Sequence, residues 1–159
     1  MGAGKSTVAR LLAERWDTTA RDTDTDVEAA DGRAIADIFV ESGEERFRTL
    51  ERAAVAAALS QHDGVLALGG GAVLDPATRD ALASHQVVFL RVGLSDAVKR
   101  VGLGTSRPLL LGNVRSRIKA LLDERAPVYA AVADLTVDTD GRSPEEVAEE
   151  IVTRLEEET

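Results

Sequence analysis

Met1-Gly2-Ala3-Gly4-Lys5-Ser6-Thr7 opens the chain and decides its fold class. Gly-Lys-Ser directly before an amphipathic helix is the end of a phosphate-binding loop, in which glycines let backbone N–H groups turn toward phosphate oxygens. Lys5 can reach the β- and γ-phosphates of a nucleotide, and the Ser6 hydroxyl can coordinate Mg²⁺. The alternative is a chance tripeptide at a helix start, but the apolar stripe over residues 8–12 favours the phosphate loop.

The complete loop pattern extends upstream of this chain. It requires a further glycine before Gly4 and a β-strand before that glycine, and both would precede Met1. The sequence therefore predicts an N-terminally shortened form that lacks its central first strand. We expect residues 1–159 to form about four parallel strands, with a gap where another strand belongs.

Composition restricts the class of protein. With 159 residues and a net charge of −9, the chain is one acidic domain whose charge disfavours a broad nucleic-acid or anionic-membrane surface. The absence of cysteine excludes a disulfide scaffold and a thiol nucleophile. No apolar run approaches the roughly 20 residues of a membrane span, and no signal peptide precedes the motif that begins at Gly2. We therefore expect a cytoplasmic protein in which His62 and His85 are exposed and have no catalytic role.

Short apolar runs alternate with amphipathic stretches, which predicts an α/β fold with three layers, α/β/α, around a parallel sheet. The predicted strands are residues 18–22, 65–68, 87–90 and 135–137. The predicted helices are residues 7–15, a segment around 35–39 that ends at a Ser42-Gly43 break, 47–58, 77–84, 95–100 capped by Ser95, 114–124, and a C-terminal helix that begins at Pro144 after Ser143.

Two further segments point to a ligand site. Asp22-Thr23-Asp24 follows the first predicted strand, and in an extended chain residues 22 and 24 point the same way, so both carboxylates can face one cleft. A polar turn or a helix cap explains that spacing equally well. Gly69-Gly70-Gly71 follows a buried strand, which indicates a close approach of the backbone to a ligand rather than a flexible turn.

Four arginines of this acidic chain lie near glycine or proline, or on a helix beside Phe47. They are Arg48, Arg107, Arg125 and Arg142. A lone arginine is usually a solvated surface charge, but four in such positions are better explained as ligands of anions. The planar guanidinium binds carboxylate and phosphate groups through two parallel hydrogen bonds.

Together these segments resemble the shikimate kinase family of phosphate-loop enzymes, over almost the whole chain. The matching segments are Gly2 to Thr7, Asp22-Thr23-Asp24, Gly32-Arg33 with Ile35 to Phe39, Glu44 with Phe47-Arg48 and Glu51, Leu68 to Gly71, Arg107-Pro108-Leu109, Arg125 to Tyr129, and Val137-Asp138-Thr139 through Pro144. The resemblance implies ATP-dependent phosphorylation of the 3-hydroxyl of shikimate, which yields shikimate 3-phosphate and ADP in the chorismate and aromatic amino-acid pathway. It also implies a monomer with a substrate-binding subdomain around residues 23–52 and a mobile lid around residues 102–114.

The resemblance further implies roles for individual residues. The expected catalytic residues are Lys5 and Arg107, on the transferring phosphate, and Asp24, on the reacting hydroxyl. ATP is expected to contact Gly2, Ala3, Gly4, Lys5, Ser6, Thr7, Arg107 and Arg142. Shikimate is expected to contact Asp24, Arg48, Arg125 and the backbone of Gly70. Mg²⁺ is expected on Ser6, with Asp22 acting through its water ligands.

Two other functions stay open at this point. A gluconate-type or other small-molecule kinase shares the phosphate loop and the fold, and so does a non-catalytic nucleotide-binding module. Arg48, Arg125 and the glycine triplet favour a substrate that carries a carboxylate.

Overall fold

A computed structural model describes residues 4–102 and 111–158, with side chains over 4–99 and 115–158. Helices and strands alternate along these residues, as expected for the α/β class. The strands are β1 (Ala20–Asp22), β2 (Val65–Ala67), β3 (Val88–Arg91) and β4 (Leu135–Asp138). The helices are α1 (Lys5–Arg15), α2 (Thr23–Asp31), α3 (Ile35–Gln61), α4 (Pro76–Leu82), α5 (Leu94–Gly102), α6 (Leu111–Val132) and α7 (Pro144–Glu157), and a 3-10 turn covers Ala72–Leu74.

Within the described residues, the strands pair in parallel as two two-stranded sheets. β1 lies beside β2, with Asp22 opposite Ala67. β3 lies beside β4, with Arg91 opposite Asp138. Parallel neighbours require a crossover between them, and helices supply it here. The parallel pairing confirms the predicted α/β class.

The chain divides into two compact units, each with its own apolar core. One unit is Ala9–His85, and the other joins the chain up to Val8 with the residues from Gln86 onward. The core clusters are Val27, Ile38 and Phe47 in the first unit and Val92, Ala97 and Ile118 in the second. Both clusters are mainly aliphatic because the chain has few aromatic residues. Among the described helices, none is both long and apolar enough to cross a membrane.

The break predicted near residue 43 is present inside α3. Gly43 has φ 85° and ψ 167°, which is not helical, and the helix continues on either side of it. A residue with a side chain rarely adopts this φ, so glycine suits the kink. Ile38 before the kink and Phe47 after it are both buried against Val27 of α2. The kink therefore lets both halves of α3 contribute to one core.

The helices of the second unit confirm one predicted start and correct two boundaries. α7 begins at Pro144 as predicted, and the Ser143 hydroxyl accepts the N–H of Glu146 in a capping box. α5 begins at Leu94, so Ser95 lies inside its first turn and the prediction that Ser95 caps it is wrong. α6 continues past the predicted end at residue 124 to Val132.

The prediction that His62 is exposed is also wrong. Its Nε2 lies 3.1 Å from the carbonyl oxygen of Thr19 and 3.2 Å from that of Val65. The half-buried ring thus bridges Thr19, just before β1, and Val65, the first residue of β2. His85 is exposed, as expected.

Candidate functional site

The phosphate-loop side chains lie at the N-terminus of α1. Gly4 has a left-handed φ of 73°, and Lys5 and Ser6 are the first two residues of the helix. Val8 and Leu12 are buried on one face of α1, which fixes the helix to the protein. The first turn of a helix carries N–H groups without intrahelical acceptors and the positive end of the helix dipole, so this end of α1 favours an anion.

The Asp22-Thr23-Asp24 segment passes from β1 directly into α2. Asp22 is the N-cap, and its Oδ1 accepts the N–H of Asp24 at 2.9 Å. Thr23 is fully buried, and its hydroxyl donates to the carbonyl oxygen of Ala67 at 3.4 Å. Of the alternatives that the spacing left open, the structure therefore shows the helix cap. Asp22 caps the helix, and Asp24 belongs to its first turn.

Carboxylates from two helices converge on Gly69. A Cβ atom on Gly69 would lie 2.9 Å from Asp24 Oδ1 and 2.9 Å from Glu51 Oε2. On Gly71 a Cβ atom would collide with the guanidinium of Arg48. A side chain at either position would therefore have to displace a charged side chain that packs against the turn. The predicted close approach of this backbone to a ligand stays a prediction.

Arg48 reaches the turn already paired with acidic groups of its own helix. Nη1 donates to Glu51 Oε1 at 2.8 Å, and Nη2 donates to Glu44 Oε1 at 3.4 Å. The guanidinium carbon also lies 5.3 Å from the centroid of the Phe47 ring, within the range of a cation–π contact. These contacts limit the rotamers of a long side chain and hold its charge beside Gly71.

Glu51 is a site residue to which the sequence assigned no role. Only 3% of it is exposed, whereas glutamate is seldom buried without a partner. Its partner is Arg48, at the i,i+3 spacing that brings side chains together on a helix. That spacing was visible in the sequence, but burial against Gly69 depends on the fold.

A cavity of about 240 Å³ borders this cluster. Its lining comes from α3 and from the chain that follows the glycine turn. The lining residues are Arg48, Glu51, Arg52, Gly71, Ala72, Leu74, Asp75, Pro76 and Thr78. Both charged and apolar groups therefore surround a space beside Arg48 and Gly71.

Arg142 is held in the loop between β4 and α7. It donates to the carbonyl oxygen of Asp138 at 2.9 Å and to a carboxylate oxygen of Glu150. The hydrogen bond from Arg142 holds the pKa of Glu150 below its ordinary value, against a smaller opposing effect of burial. Arg91 pairs with Asp138 through two hydrogen bonds and likewise lowers the pKa of that carboxyl. The loop is thus fixed to both neighbouring elements.

Arg125 lies half-buried on α6. One helical turn later, Tyr129 stacks on Phe89 of β3 with ring centroids 4.5 Å apart. This contact attaches the helix that carries Arg125 to the second unit. The predicted contacts of Gly2, Ala3 and Arg107 fall on positions outside the described residues.

The structure brings together Asp24, Arg48 and the glycine turn, all within the first unit. The other described candidates, Lys5, Ser6, Arg125 and Arg142, belong to the second unit. The predicted pairing of Arg48 with Arg125 on one carboxylate stays a prediction.

The residues expected to hold Mg²⁺, Ser6 and Asp22, carry oxygen donors. Mg²⁺ prefers hydroxyl, carboxylate and water oxygens, and it usually keeps several waters beside a few protein ligands and substrate phosphates. The Ser6 hydroxyl and the Asp22 carboxylate are groups of this kind. Among the described residues, no group of three or more His, Cys, Asp or Glu forms a complete protein cage for a metal. The chemistry of the residues fits Mg²⁺ held mainly by phosphates and water.

Comparisons with known proteins agree with this picture. The profile of the shikimate kinase family matches residues 1–156. A shikimate kinase of Thermobifida fusca is 58% identical over 154 residues, which cover 97% of this chain and 90% of the relative. A shikimate kinase of Salinispora tropica is 58% identical over 154 residues, covering 97% of this chain and 92% of the relative.

Solved structures show the same likeness. The shikimate kinase from Acinetobacter baumannii in complex with shikimate superposes with a TM-score of 0.92 at 34% identity, covering 100% of this chain and 90% of that one. The shikimate kinase from Aquifex aeolicus superposes with a TM-score of 0.82 at 31% identity, covering 99% and 92%.

Proposed function

The chain belongs to the shikimate kinase family, and from this premise we propose how its residues divide the work of the reaction. The protein catalyses ATP-dependent phosphorylation of shikimate. The acceptor oxygen is the 3-hydroxyl, and the products are shikimate 3-phosphate and ADP. The observation that carries the proposal is the convergence of Asp24 and Arg48 on the Gly69–Gly71 turn.

ATP binds with its phosphates at the N-terminus of α1. Backbone N–H groups of Gly2 to Thr7 and the helix dipole hold the phosphate oxygens. Lys5 neutralises charge on the β- and γ-phosphates. This interaction is stronger when charge develops in the transition state, so it accelerates transfer rather than merely tightening binding.

Asp24 orients the attacking hydroxyl. Its carboxylate accepts the hydrogen bond of the hydroxyl and takes its proton as the new O–P bond forms and the bond from the γ-phosphorus to ADP breaks. The position of Asp24 supports this role, because the first turn of α2 and the backbone of Gly69 restrict its side chain. In phosphoryl transfer the protein contributes mainly such positioning and charge neutralisation.

Arg48 and Arg125 bind the carboxylate of shikimate, and the Gly70 backbone supports the ring. Glu51 and Glu44 hold the Arg48 guanidinium in place, and a guanidinium has enough N–H groups to bind a further carboxylate while it keeps those partners. Because these arginines require a carboxylate on the acceptor, they favour shikimate over neutral sugar-like acceptors.

The remaining roles concern the nucleotide. Arg107, from a lid over residues 102–114, neutralises the transferring phosphate, and lid closure excludes water from it. Arg142 packs beside the adenine, and its guanidinium is held in place by Asp138 and Glu150. Ser6, with Asp22 acting through water ligands, would hold Mg²⁺, which would supply further positive charge to the phosphates. We expect this enzyme to act as a monomer in the cytoplasm.

A coupled ADP-release assay tests the proposal with shikimate and gluconate as alternative acceptors. We expect turnover that depends on shikimate, and a phosphorus–proton NMR correlation that places the phosphate on the 3-oxygen. Turnover with gluconate alone supports the other class of kinase. ATP binding without turnover on any acceptor supports a binding module.

A further inference from the structure

The chain that leaves the glycine turn is held by two arginines with no part in the proposed substrate contacts. Arg52 of α3 places its Nε 3.1 Å from Asp75 Oδ1. Arg79 of α4 donates from Nη1 to the carbonyl oxygens of Val73, at 2.8 Å, and Leu74, at 3.0 Å. The exit of the turn is therefore attached to the helix before it and to the helix after it.

Asp75 uses its two carboxylate oxygens for different tasks. Oδ2 accepts the backbone N–H of Thr78 at 3.0 Å and its hydroxyl at 3.2 Å, which caps α4. Oδ1 faces Arg52. One side chain thus fixes the start of α4 and attaches that start to α3.

Backbone hydrogen bonds continue from Asp75 back to the glycine turn. The N–H of Asp75 donates to Ala72, that of Leu74 to Gly71, and that of Ala72 to Gly69, at 3.4, 3.1 and 3.0 Å. These overlapping turns leave little freedom between residues 69 and 75. A shift at Asp75 is therefore transmitted to Gly71 and to the backbone beside it.

Arg52 lies on the face of α3 that already serves the site. Glu51 and Arg52 follow Arg48 by three and four residues, so each lies on the same side of the helix as Arg48. Arg48 and Glu51 contact the turn itself, and Arg52 contacts its exit. The same helix face therefore holds the turn at successive points.

We propose that the Arg52–Asp75 ion pair is a positioning device for the glycine turn, which sets where the Gly70 backbone meets shikimate. The inference rests on the proposed function. We assign neither side chain a contact with the substrate, and we expect the pair to act on the acceptor side only. Loss of the pair therefore weakens the use of shikimate and leaves the use of ATP unchanged.

Steady-state kinetics of Arg52→Ala, Asp75→Asn and the double variant test this role. Asparagine is a good N-cap, so Asp75→Asn keeps the cap of α4 and removes the ion pair. For each variant we expect the KM for shikimate to rise about fivefold, equivalent to about 1 kcal/mol at about 1.4 kcal/mol per tenfold. The kcat and the KM for ATP should stay within about twofold. The double variant should be no worse than either single variant, because both remove one interaction.

Two controls separate positioning from stability. Lys119→Ala removes a more exposed ion pair on α6 and should leave both KM values unchanged. Arg52→Lys restores a cation and should return the KM for shikimate to within about twofold of the parent. Thermal unfolding of every variant is measured in parallel. If Arg52→Ala does not fold, the KM for shikimate of Asp75→Asn is compared with that of Arg52→Lys, and a higher value for Asp75→Asn alone supports the positioning role.

The possible failures are distinguishable. A parent enzyme that does not phosphorylate shikimate overturns the proposed function. An active parent whose variants have a lower Tm but an unchanged KM for shikimate overturns only the positioning role. Additive effects in the double variant overturn it as well, because the two residues then act independently.

Discussion

Arg48 and Glu51, one turn apart on α3, form an ion pair of 2.8 Å in which the second oxygen of Glu51 abuts Gly69. The two partners differ in burial: Glu51 is buried in the protein, and the Arg48 guanidinium lies beside Gly71. A buried carboxylate requires a partner, and this partner is the cation proposed to bind the substrate carboxylate. Stability and substrate binding therefore depend on one interaction.

Replacing Glu51 with alanine should destabilise the protein and weaken shikimate binding together. The substitution leaves a cavity and removes the main partner of Arg48, at a cost of about 3 kcal/mol. Urea unfolding measures this loss. Arg10→Ala, which removes an exposed i,i+4 pair with Glu14, is the matched control and should cost less than about 0.5 kcal/mol. Equal effects of the two substitutions would contradict the role of the buried pair.

Replacing Lys5 with methionine should nearly abolish turnover. The substitution keeps the apolar stem but removes the charge aimed at the transferring phosphate, so kcat should fall by about 10²–10³. Lys119→Met makes the same chemical change at an exposed position and should retain parental activity. A Lys5→Met enzyme with near-normal kcat would show that the phosphate loop has been misassigned.

Arg48 and Arg125 should behave as a pair toward shikimate. Alanine at either position should weaken binding by roughly 2–4 kcal/mol, and the double substitution should cost much less than the sum. Isothermal titration with shikimate and with ATP checks this, and ATP affinity should be almost unchanged. Lost ATP affinity with intact shikimate affinity would reverse the assignment.

Replacing Gly69 with alanine should crowd the site. The new methyl group would lie 2.9 Å from both Asp24 and Glu51, and overpacking of this kind costs about 1–3 kcal/mol. We expect a lower Tm together with a higher KM for shikimate. Gly32→Ala, at φ 85° with no heavy atom within 4 Å of the added Cβ, tests backbone strain without crowding and should lower the Tm.

Stability should fall in acid partly through Glu150. Arg142 lowers its folded pKa below the ordinary value of 4.5, so its stabilising effect is present above that pH and is lost as pH falls through the folded pKa. Glu150→Gln should therefore show a flatter decline of Tm below about pH 4.5 than the parent. High salt should reduce the difference, because the pair is partly exposed. Identical acid profiles would contradict this role.

The sequence by itself determined the features that depend on neighbouring residues. The helix behind the phosphate loop, the alternation of strands and helices, the start of α7 at Pro144 and the kink at Gly43 follow from caps, apolar spacing and glycine conformation. Each of these involves interactions within a few residues along the chain. They were predictable because such interactions do not require knowledge of what packs nearby.

Tertiary structure decided what faces the glycine turn. Asp24, Glu51 and Gly69 are far apart in sequence, and their convergence depends on α2 and α3 packing through Val27, Ile38 and Phe47. The same cause decided the conformation of the Asp22–Asp24 segment. Its pattern suited an extended strand and a helix cap equally, and burial of Thr23 against β2 accompanies the capped helix that the structure adopts. Local propensities are nearly balanced there, so the free energy of long-range packing selects between them.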